Sequence, residues 1–412
     1  MAVTEGAAPT FLDLVLSPDF RADPYPGWGA LREREPVHRT DLGAWVLTRH
    51  ADVSALLRDP RTSTDERNSE LYVPGGSRGP IDEAGETQPI LFLDPPDHTR
   101  LRGLVSKAFT VRMVDQLAPR VQTLVGELLS EMESIAAAGD GTLDLVERFA
   151  YPLPVTVICE MLGVPPSDHS TFADWSGLLA HAIDPPVLRT PEQEQQIQTT
   201  AEAFVAYFED LIARRRTEPG GGDLLTALLE AEDEGERLTH DELLAQLLFL
   251  LIAGHETTVN LIGNGTLALL RNPEQLARLR GDPSLDKPAI EELLRYDSPV
   301  QFSMRICLDD MEFGAVPLPK GSTVLCIIGA ANRDPDAFAE PDRLDLGRTE
   351  NRHLAFGGGA HFCLGAPLAR LEGRIAITSL VRRFPELALA GDPVMRDTFT
   401  LRGLAKLPVT LG

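Results

Sequence analysis

Cys363 sits in the stretch Phe356-Gly357-Gly358-Gly359-Ala360-His361-Phe362-Cys363-Leu364-Gly365. Three consecutive glycines, and a fourth two residues after the cysteine, free the backbone to pass very close to a neighbour. The residues that follow, 366–372 with Pro367 near their start, read as the first turns of a helix. A cysteine just ahead of a helix gains stabilisation of its thiolate from the helix dipole and from free backbone N–H groups. A lone cysteine is ordinarily a small buried hydrophobe. Here a phenylalanine, three glycines, a histidine two before the cysteine and a glycine two after it occur together. The combination presents a thiolate at the end of a glycine bulge, open on one side to a flat partner.

A second polar cluster interrupts a long apolar segment. Thr239-His240-Asp241-Glu242 fits a capping box, with Thr239 as N-cap and Glu242 reaching back. The helix it starts runs to about residue 270, where Asn272-Pro273 stops it. At 1.5 Å per residue it is about 45 Å long. Its first half is strongly apolar and so is read as buried. In its middle lies Ala253-Gly254-His255-Glu256-Thr257-Thr258. Polar residues in a buried helix need partners. His255 and Thr258 are read as facing other helices with satisfied hydrogen bonds. The Thr257 hydroxyl can bond the Ala253 carbonyl and loosen the helix. Gly254 offers no side chain to fill the gap, so a small polar groove is expected beside an apolar wall.

The Cys363 loop resembles the cysteine-ligand loop of the cytochrome P450 haem-thiolate monooxygenases, and residues 253–258 resemble that family's oxygen-activating helix. The resemblance implies that Cys363 is the axial ligand to the iron of haem b (iron protoporphyrin IX). It places His361 near a haem propionate, Phe356 beside the cysteine sulfur, and Gly365 among the cofactor-binding residues. It gives Thr257 the positioning of dioxygen and water, and Glu256 the feeding of a proton relay. Glu292-Leu293-Leu294-Arg295 sets a carboxylate and a guanidinium three apart on one helix face. Taken alone, such pairs are mostly solvated; in this order along the chain it resembles the family's E-x-x-R element. Arg343, in Pro341-Asp342-Arg343-Leu344, is expected to complete a structural charge triad, although Leu344 stands where an aromatic is more usual. His98 and Arg102, four apart at the start of a helix, would contact the propionates together with Arg305 and His361. Arginine suits bidentate carboxylate binding.

The elements that must hold these residues are mostly helical. The 412 residues carry a formal net charge of -24, and 43% are hydrophobic. No linker or repeat divides the chain; the best break candidate, residues 218–223, is short, and one domain over 1–412 is expected. Helical patterns cover 30–33, 51–57, 110–136, 168–183, 192–216 and 223–232, with Pro119 expected to kink or restart one of them. Short strands are expected at 37–39, 44–48 and 323–328. Residues 313–321, with two prolines and two glycines, cannot be helical. Residues 64–85 read as a mobile loop. The fold class is thus mainly α with small β-sheets, and the resemblance implies the cytochrome P450 fold, haem lying between the long helix and the Cys-loop helix.

The four cysteines are scattered without CxxC spacing, which argues against disulfides or zinc and for a reducing cytoplasm. Residues 1–9 show no secretory signal. The longest apolar run, 243–254, falls short of a membrane span. The acidic balance makes nucleic acid and anionic membranes poor partners. The expected function is insertion of one atom of dioxygen into a small apolar organic substrate. Electrons would come from a separate donor of the ferredoxin or flavodoxin type, docking at a basic patch of Lys107, Arg112 and Arg374. Two alternatives stay open: a haem-thiolate peroxygenase or isomerase, and a non-catalytic haem protein. By family position Phe249, Ala253 and Thr257 would line the pocket, with Val300 and Gln301. Residues 65–88 and 181–190 would form a lid, with Pro185-Pro186 as its hinge.

Overall fold

The capping box at Thr239 starts the dominant helix. Thr239 Oγ1 accepts from the Glu242 amide at 3.2 Å, and Glu242 Oε2 accepts from the Thr239 amide at 2.8 Å. The helix His240–Arg271 then runs until Asn272-Pro273. The computed structural model describes residues 11–73, 88–139, 141–184, 188–217, 223–233 and 236–412. Within them this is the one helix long and apolar enough to cross a membrane, and most of it is buried inside the protein. Helices Pro152–Met161, Asp286–Tyr296 and Ala366–Arg383 pack on it, and Val111–Ala138 packs on Ala366–Arg383. The main apolar core lies between them, including Leu247, Leu251, Ile262, Leu371 and Ile375.

Further helices include Tyr25–Arg34, His50–Leu56, Asp97–Ala108, His169–Leu179, Pro191–Thr217, Leu224–Glu230 and Pro273–Gly281. Pro119 does not restart its helix: Val111–Ala138 is continuous with Pro119 inside it. Pro119 and Asp115 lie on the exposed face, so the carbonyl freed by the missing N–H is open to water.

A five-stranded sheet has the order Val37–Arg39, Trp45–Leu47, Thr323–Ile327, Phe302–Cys307 and Thr62–Ser63. Strand Phe302–Cys307 was not foreseen as a strand. It pairs antiparallel with Thr323–Ile327, with Arg305 opposite Val324, and this pairing aims Arg305. Residues 313–321 are non-helical: Met311–Phe313 and Val316–Leu318 form a hairpin.

The start of the expected mobile loop is anchored. Thr64 N–H donates to Asp94 Oδ1 at 3.0 Å, and Glu70 N–H donates to Gly321 O at 2.9 Å. The remainder of that loop from residue 74 to 87, the Pro185-Pro186 hinge, the break at 218–222 and the N-terminal ten residues lie outside the described residues.

Candidate active site

The Cys363 bulge closes on itself, the Cys363 amide donating to Phe356 O at 3.0 Å. Helix Ala366–Arg383 starts directly after it, with Gly365 as N-cap and Pro367 in the first turn. Gly357 and Gly359 take φ of 69° and 67°, the left-handed region that glycine enters without strain. A Cβ on Gly359 would also stand 2.4 Å from the Leu57 carbonyl oxygen. One glycine is therefore demanded by protein backbone, beyond any flat partner. Cys363 is exposed, whereas Cys159, Cys307 and Cys326 are buried. Yet burial is the largest influence on its thiol and raises its pKa, against a downward pull from the Gly365 and Ala366 amides, Arg102 and Arg370. A group that is enclosed by protein and still accessible lines a hollow. The expected helix-end amides do act on the sulfur, but alone they do not make it a thiolate; a cation in the hollow has to complete that.

A clamp missed by sequence reading holds the bulge. Arg370 stacks over the Phe356 ring at 4.4 Å and reaches both Glu291 oxygens at 2.7 and 2.8 Å. His353 Nδ1 accepts from the Ala355 amide at 3.2 Å, so Nε2 carries the proton and donates to Glu291 at 3.1 Å. Burial works to raise the Glu291 carboxyl, but these donors outweigh it and hold the pKa at about 2, below the ordinary 4.5. A depressed carboxyl contributes stability that is complete above the unfolded value and lost as pH falls to the folded one. The clamp is thus expected to weaken between pH 4.5 and about 2. Denaturation midpoints taken across that window should fall less steeply in Glu291→Gln than in the parent chain.

Four basic side chains converge beside the bulge. The His98 and His361 rings lie 4.1 Å apart. Arg102 donates to Phe362 O, and Arg305 spends one nitrogen on Ser303 Oγ and Met304 O at 2.9 and 2.7 Å. Burial, then the charges of Arg305, His98 and Arg102, press the His361 pKa down to about 3. Among the described residues none of the four has a carboxylate ion-pair partner, and the buried His98 Nε2 has no hydrogen-bond partner. Two guanidiniums and two imidazoles, with the Asp94 charge acting on His98 and Arg305 but no carboxylate bonded to any of the four, call for a further anionic occupant. The two propionates of haem fit that demand, and the accessible Cys363 sulfur fits its iron. Among the described residues no group of three or more His, Cys, Asp or Glu gathers to hold a metal, so Cys363 would serve as the lone protein ligand.

The long helix supplies an opposite wall. Within its buried length Phe249, Ala253 and Thr257 are partly accessible. Their spacing of four puts them on one stripe, as the family position implied. Thr257 Oγ1 donates to Ala253 O at 3.0 Å, the bond foreseen for it. Gly254 does not open the groove: a Cβ there would meet Ile158 Cδ1 at 3.1 Å, so this glycine admits a packed neighbour. Both His255 nitrogens are engaged, Nδ1 with Leu251 O at 2.6 Å and Nε2 with Glu256 Oε1 at 3.3 Å.

Glu256 is fully buried, and its second oxygen is held by Arg396. Burial would raise its carboxyl, but the His255 bond and charge and the Arg396 charge prevail and lower it. No hydrogen bond joins Glu256 to Thr257. The expected acid–hydroxyl pair is therefore adjacent along the helix but not hydrogen-bonded to each other. Val300 is partly accessible. Gln301, the neighbouring pocket candidate, is buried. Its Nε2 donates to Ser298 O at 2.8 Å, and its side chain packs on Gly329.

The ion-pair element is fully buried. Arg295 donates twice to Glu292 at 2.8 Å, and also to Asn332 O and Pro341 O at 2.9 and 2.7 Å. The third member is Arg348, not Arg343. Arg348 Nε reaches Glu292 Oε2 at 3.1 Å. Arg343 is 58% exposed and turns to Glu340 and Asp345. It contributes only its carbonyl, which accepts from Arg295 and Arg348. The turn between residues 343 and 348 brings the later arginine back to the carboxylate, a geometry that proximity in sequence does not reveal.

The model of the Cytochrome P450 family matches residues 76–282 and 285–410. The chain is 45% identical to Cytochrome P450 107B1 of Saccharopolyspora erythraea, with all of both chains covered. It is 43% identical to Vitamin D(3) 25-hydroxylase of Pseudonocardia autotrophica, covering 97% of this chain and 96% of that one. The solved structure of the Bacillus subtilis bacillaene polyketide synthase cytochrome P450 PksS superposes with a TM-score of 0.87 at 38% identity, covering 97% and 99%. The accessible cysteine, the clustered basic side chains and the polar cluster within the long helix thus have one common explanation: this chain belongs to the cytochrome P450 family, as a haem-dependent monooxygenase using dioxygen, an organic substrate and a redox partner.

Proposed function

We propose that Cys363 ligates the haem iron, that His98, Arg102, Arg305 and His361 neutralise the propionates, and that Thr257 and Glu256 serve proton delivery to dioxygen above a small apolar substrate. The observation that carries this reading is an accessible Cys363 sulfur that feels the Arg102 charge, beside a cluster of basic side chains with the buried His98 Nε2 unpartnered. Haem held by a thiolate supplies dioxygen activation, the thiolate pushing electron density to favour O–O cleavage.

The chain's own residues do the rest. Phe249 and Ala253 present an apolar wall that excludes water. The Thr257 hydroxyl, already hydrogen-bonded to Ala253 O, is a donor that can turn inward. Glu256 is the nearest acid along the same helix. Glu292, Arg295 and Arg348 fix the segment that leads to the bulge. Apolar substrates suit this wall, in keeping with the vitamin D3 and polyketide synthase named for the relatives. A ferredoxin- or flavodoxin-type donor would dock on the Cys363 side, where Arg112 is exposed and Arg374 partly so. The same reading takes residues 1–412 as one domain, and a cytoplasmic setting agrees with four free cysteines.

The test is Thr257→Ala in the reconstituted enzyme with dioxygen and an electron donor. Product per electron pair should fall by about tenfold or more, since positioned proton transfer contributes about 10²–10⁴-fold. Hydrogen peroxide release should rise in step, and the substrate-induced spin-state shift should stay. Undiminished coupling would refute the relay.

A further inference from the structure

Gln246 sits on the long helix with 1% of its surface exposed. Its Oε1 accepts from the Ile90 amide at 3.0 Å. A backbone N–H needs an acceptor, so the carboxamide oxygen must face Ile90 and the nitrogen must turn away. That nitrogen, Nε2, is buried and has no hydrogen-bond partner. Gln88 stands two residues before Ile90, and its Oε1 is also buried without a partner. A donor and an acceptor are thus both left unsatisfied around one stretch of backbone, and buried polar atoms without bonds are costly.

Along the helix, Gln246 precedes Leu250 by four residues, Ala253 by seven and Thr257 by eleven, so it lies on the same stripe. Phe249 flanks that stripe, and Phe249, Leu250, Ala253 and Thr257 are all partly accessible. Ile90 and Leu93 pack in one apolar cluster with Phe249, so the segment 88–93 lies against the stripe at its Gln246 end. Between Gln246 and Thr257 the stripe offers only Phe249, Leu250 and Ala253, whose side chains have no polar atoms. At 1.5 Å per residue the two polar ends are about 16 Å apart along the helix.

We propose that Gln246 and Gln88 form a recognition point for a hydroxyl group, and that the substrate is an elongated apolar alcohol whose hydroxyl lies at the end of the wall remote from Thr257. This rests on the monooxygenase site of the preceding section, with Phe249 and Ala253 as its apolar wall. A hydroxyl carries both functions on one atom: it accepts from Gln246 Nε2 and donates to Gln88 Oε1. A ketone or ether oxygen uses only the first. A carboxylate sets acceptor against acceptor at Gln88, and a hydrocarbon end leaves both amides unsatisfied.

The structural role of Gln246 is separable from this one. Its Oε1 is spent on Ile90 and orders the segment that leads on to His98, whereas recognition uses the other atom of the amide. A site built to hydrogen-bond a substrate hydroxyl rejects the analogue lacking it, because its own buried polar groups are then left unpaired. Discrimination between an alcohol and its hydrocarbon counterpart, and not affinity alone, is therefore what Gln246 Nε2 and Gln88 Oε1 confer. Anchored there, the substrate presents its opposite end to Thr257, and oxidation falls about 16 Å from the hydroxyl.

The test titrates the holoenzyme with tetradecanol and with pentadecane, in which a methyl group replaces the hydroxyl. Calorimetry reads both affinities, and the haem spin-state shift is recorded alongside. The affinity ratio, alcohol over hydrocarbon, is compared among the parent chain, Gln246→Met and Gln88→Met. Comparing ratios cancels the hydrophobicity of the ligands and any general loosening of the pocket. The ratio should fall about three- to tenfold in each variant, the scale of one neutral hydrogen bond. An unchanged ratio in both variants would reduce Gln246 to a holder of Ile90 and overturn the proposal, as would failure of the parent chain to bind tetradecanol. If Gln246→Met does not fold, Gln88→Met decides, because Gln88 Oε1 has no partner in the protein to lose. A ratio that falls without any spin-state shift supports the hydroxyl site and counts instead against the haem-side reading on which the wall was assigned.

Discussion

Cys363→Ala abolishes the thiolate-type absorption of the ferrous carbon monoxide complex. The substitution removes the accessible sulfur but leaves the basic cluster of His98, Arg102, Arg305 and His361 in place. Haem should therefore still be taken up in part, held by its propionates, while the band moves to the position of a thiolate-free complex. No other cysteine can substitute. Cys159, Cys307 and Cys326 are buried, and burial pushes their thiols to about 12, 11 and 12. Monooxygenation supported by dioxygen should fall below detection, because the electron push on O–O cleavage goes with the thiolate. The measurement is the carbon monoxide difference spectrum at matched haem content. A persistent thiolate-type band in Cys363→Ala would remove Cys363 from its assigned place.

The parts of this site that sequence made legible are those defined by local chemistry. The Cys363 bulge, the capping box at Thr239 and the Thr257–Ala253 bond all involve residues within a few positions of one another, where helix geometry alone fixes who meets whom. What sequence left dark is long-range. Arg396 reaches Glu256 from 140 positions away, and Glu291 meets Arg370 across 79. Neither pairing leaves a periodic trace. Strand Phe302–Cys307 was missed for a related reason. Its burial reads buried, partial, partial, then three buried, since it lies inside the sheet with cover on both faces and so lacks an alternating pattern.

The buried ion pair carries the second large expectation, and it separates two arginines that sequence could not. Glu292 and Arg295 are both fully buried. Taking one partner away from a buried pair strands the other charge, at about 3–5 kcal/mol. Arg295→Ala should therefore leave little folded, haem-loaded protein. Arg348 is 10% exposed and shares Glu292 Oε2 at 3.1 Å. Arg348→Ala should cost about 1.5–3 kcal/mol, the range for hydrogen bonds to charged groups. Arg343 lies at the surface beside exposed Glu340 and partly exposed Asp345, and exposed pairs contribute about 0–1 kcal/mol. Arg343→Ala should then stay within about 0.5 kcal/mol of the parent chain, as surface changes usually do. Urea denaturation midpoints, read with haem content, rank the three. Because Glu292 Oε1 also accepts the Asp345 amide at 2.9 Å and Oε2 accepts from Asn351 at 3.2 Å, loss of Arg348 leaves the carboxylate partly satisfied, whereas loss of Arg295 leaves three carbonyls and the carboxylate without their shared donor. Equal costs for Arg343→Ala and Arg348→Ala would restore Arg343 to the triad and contradict the geometry.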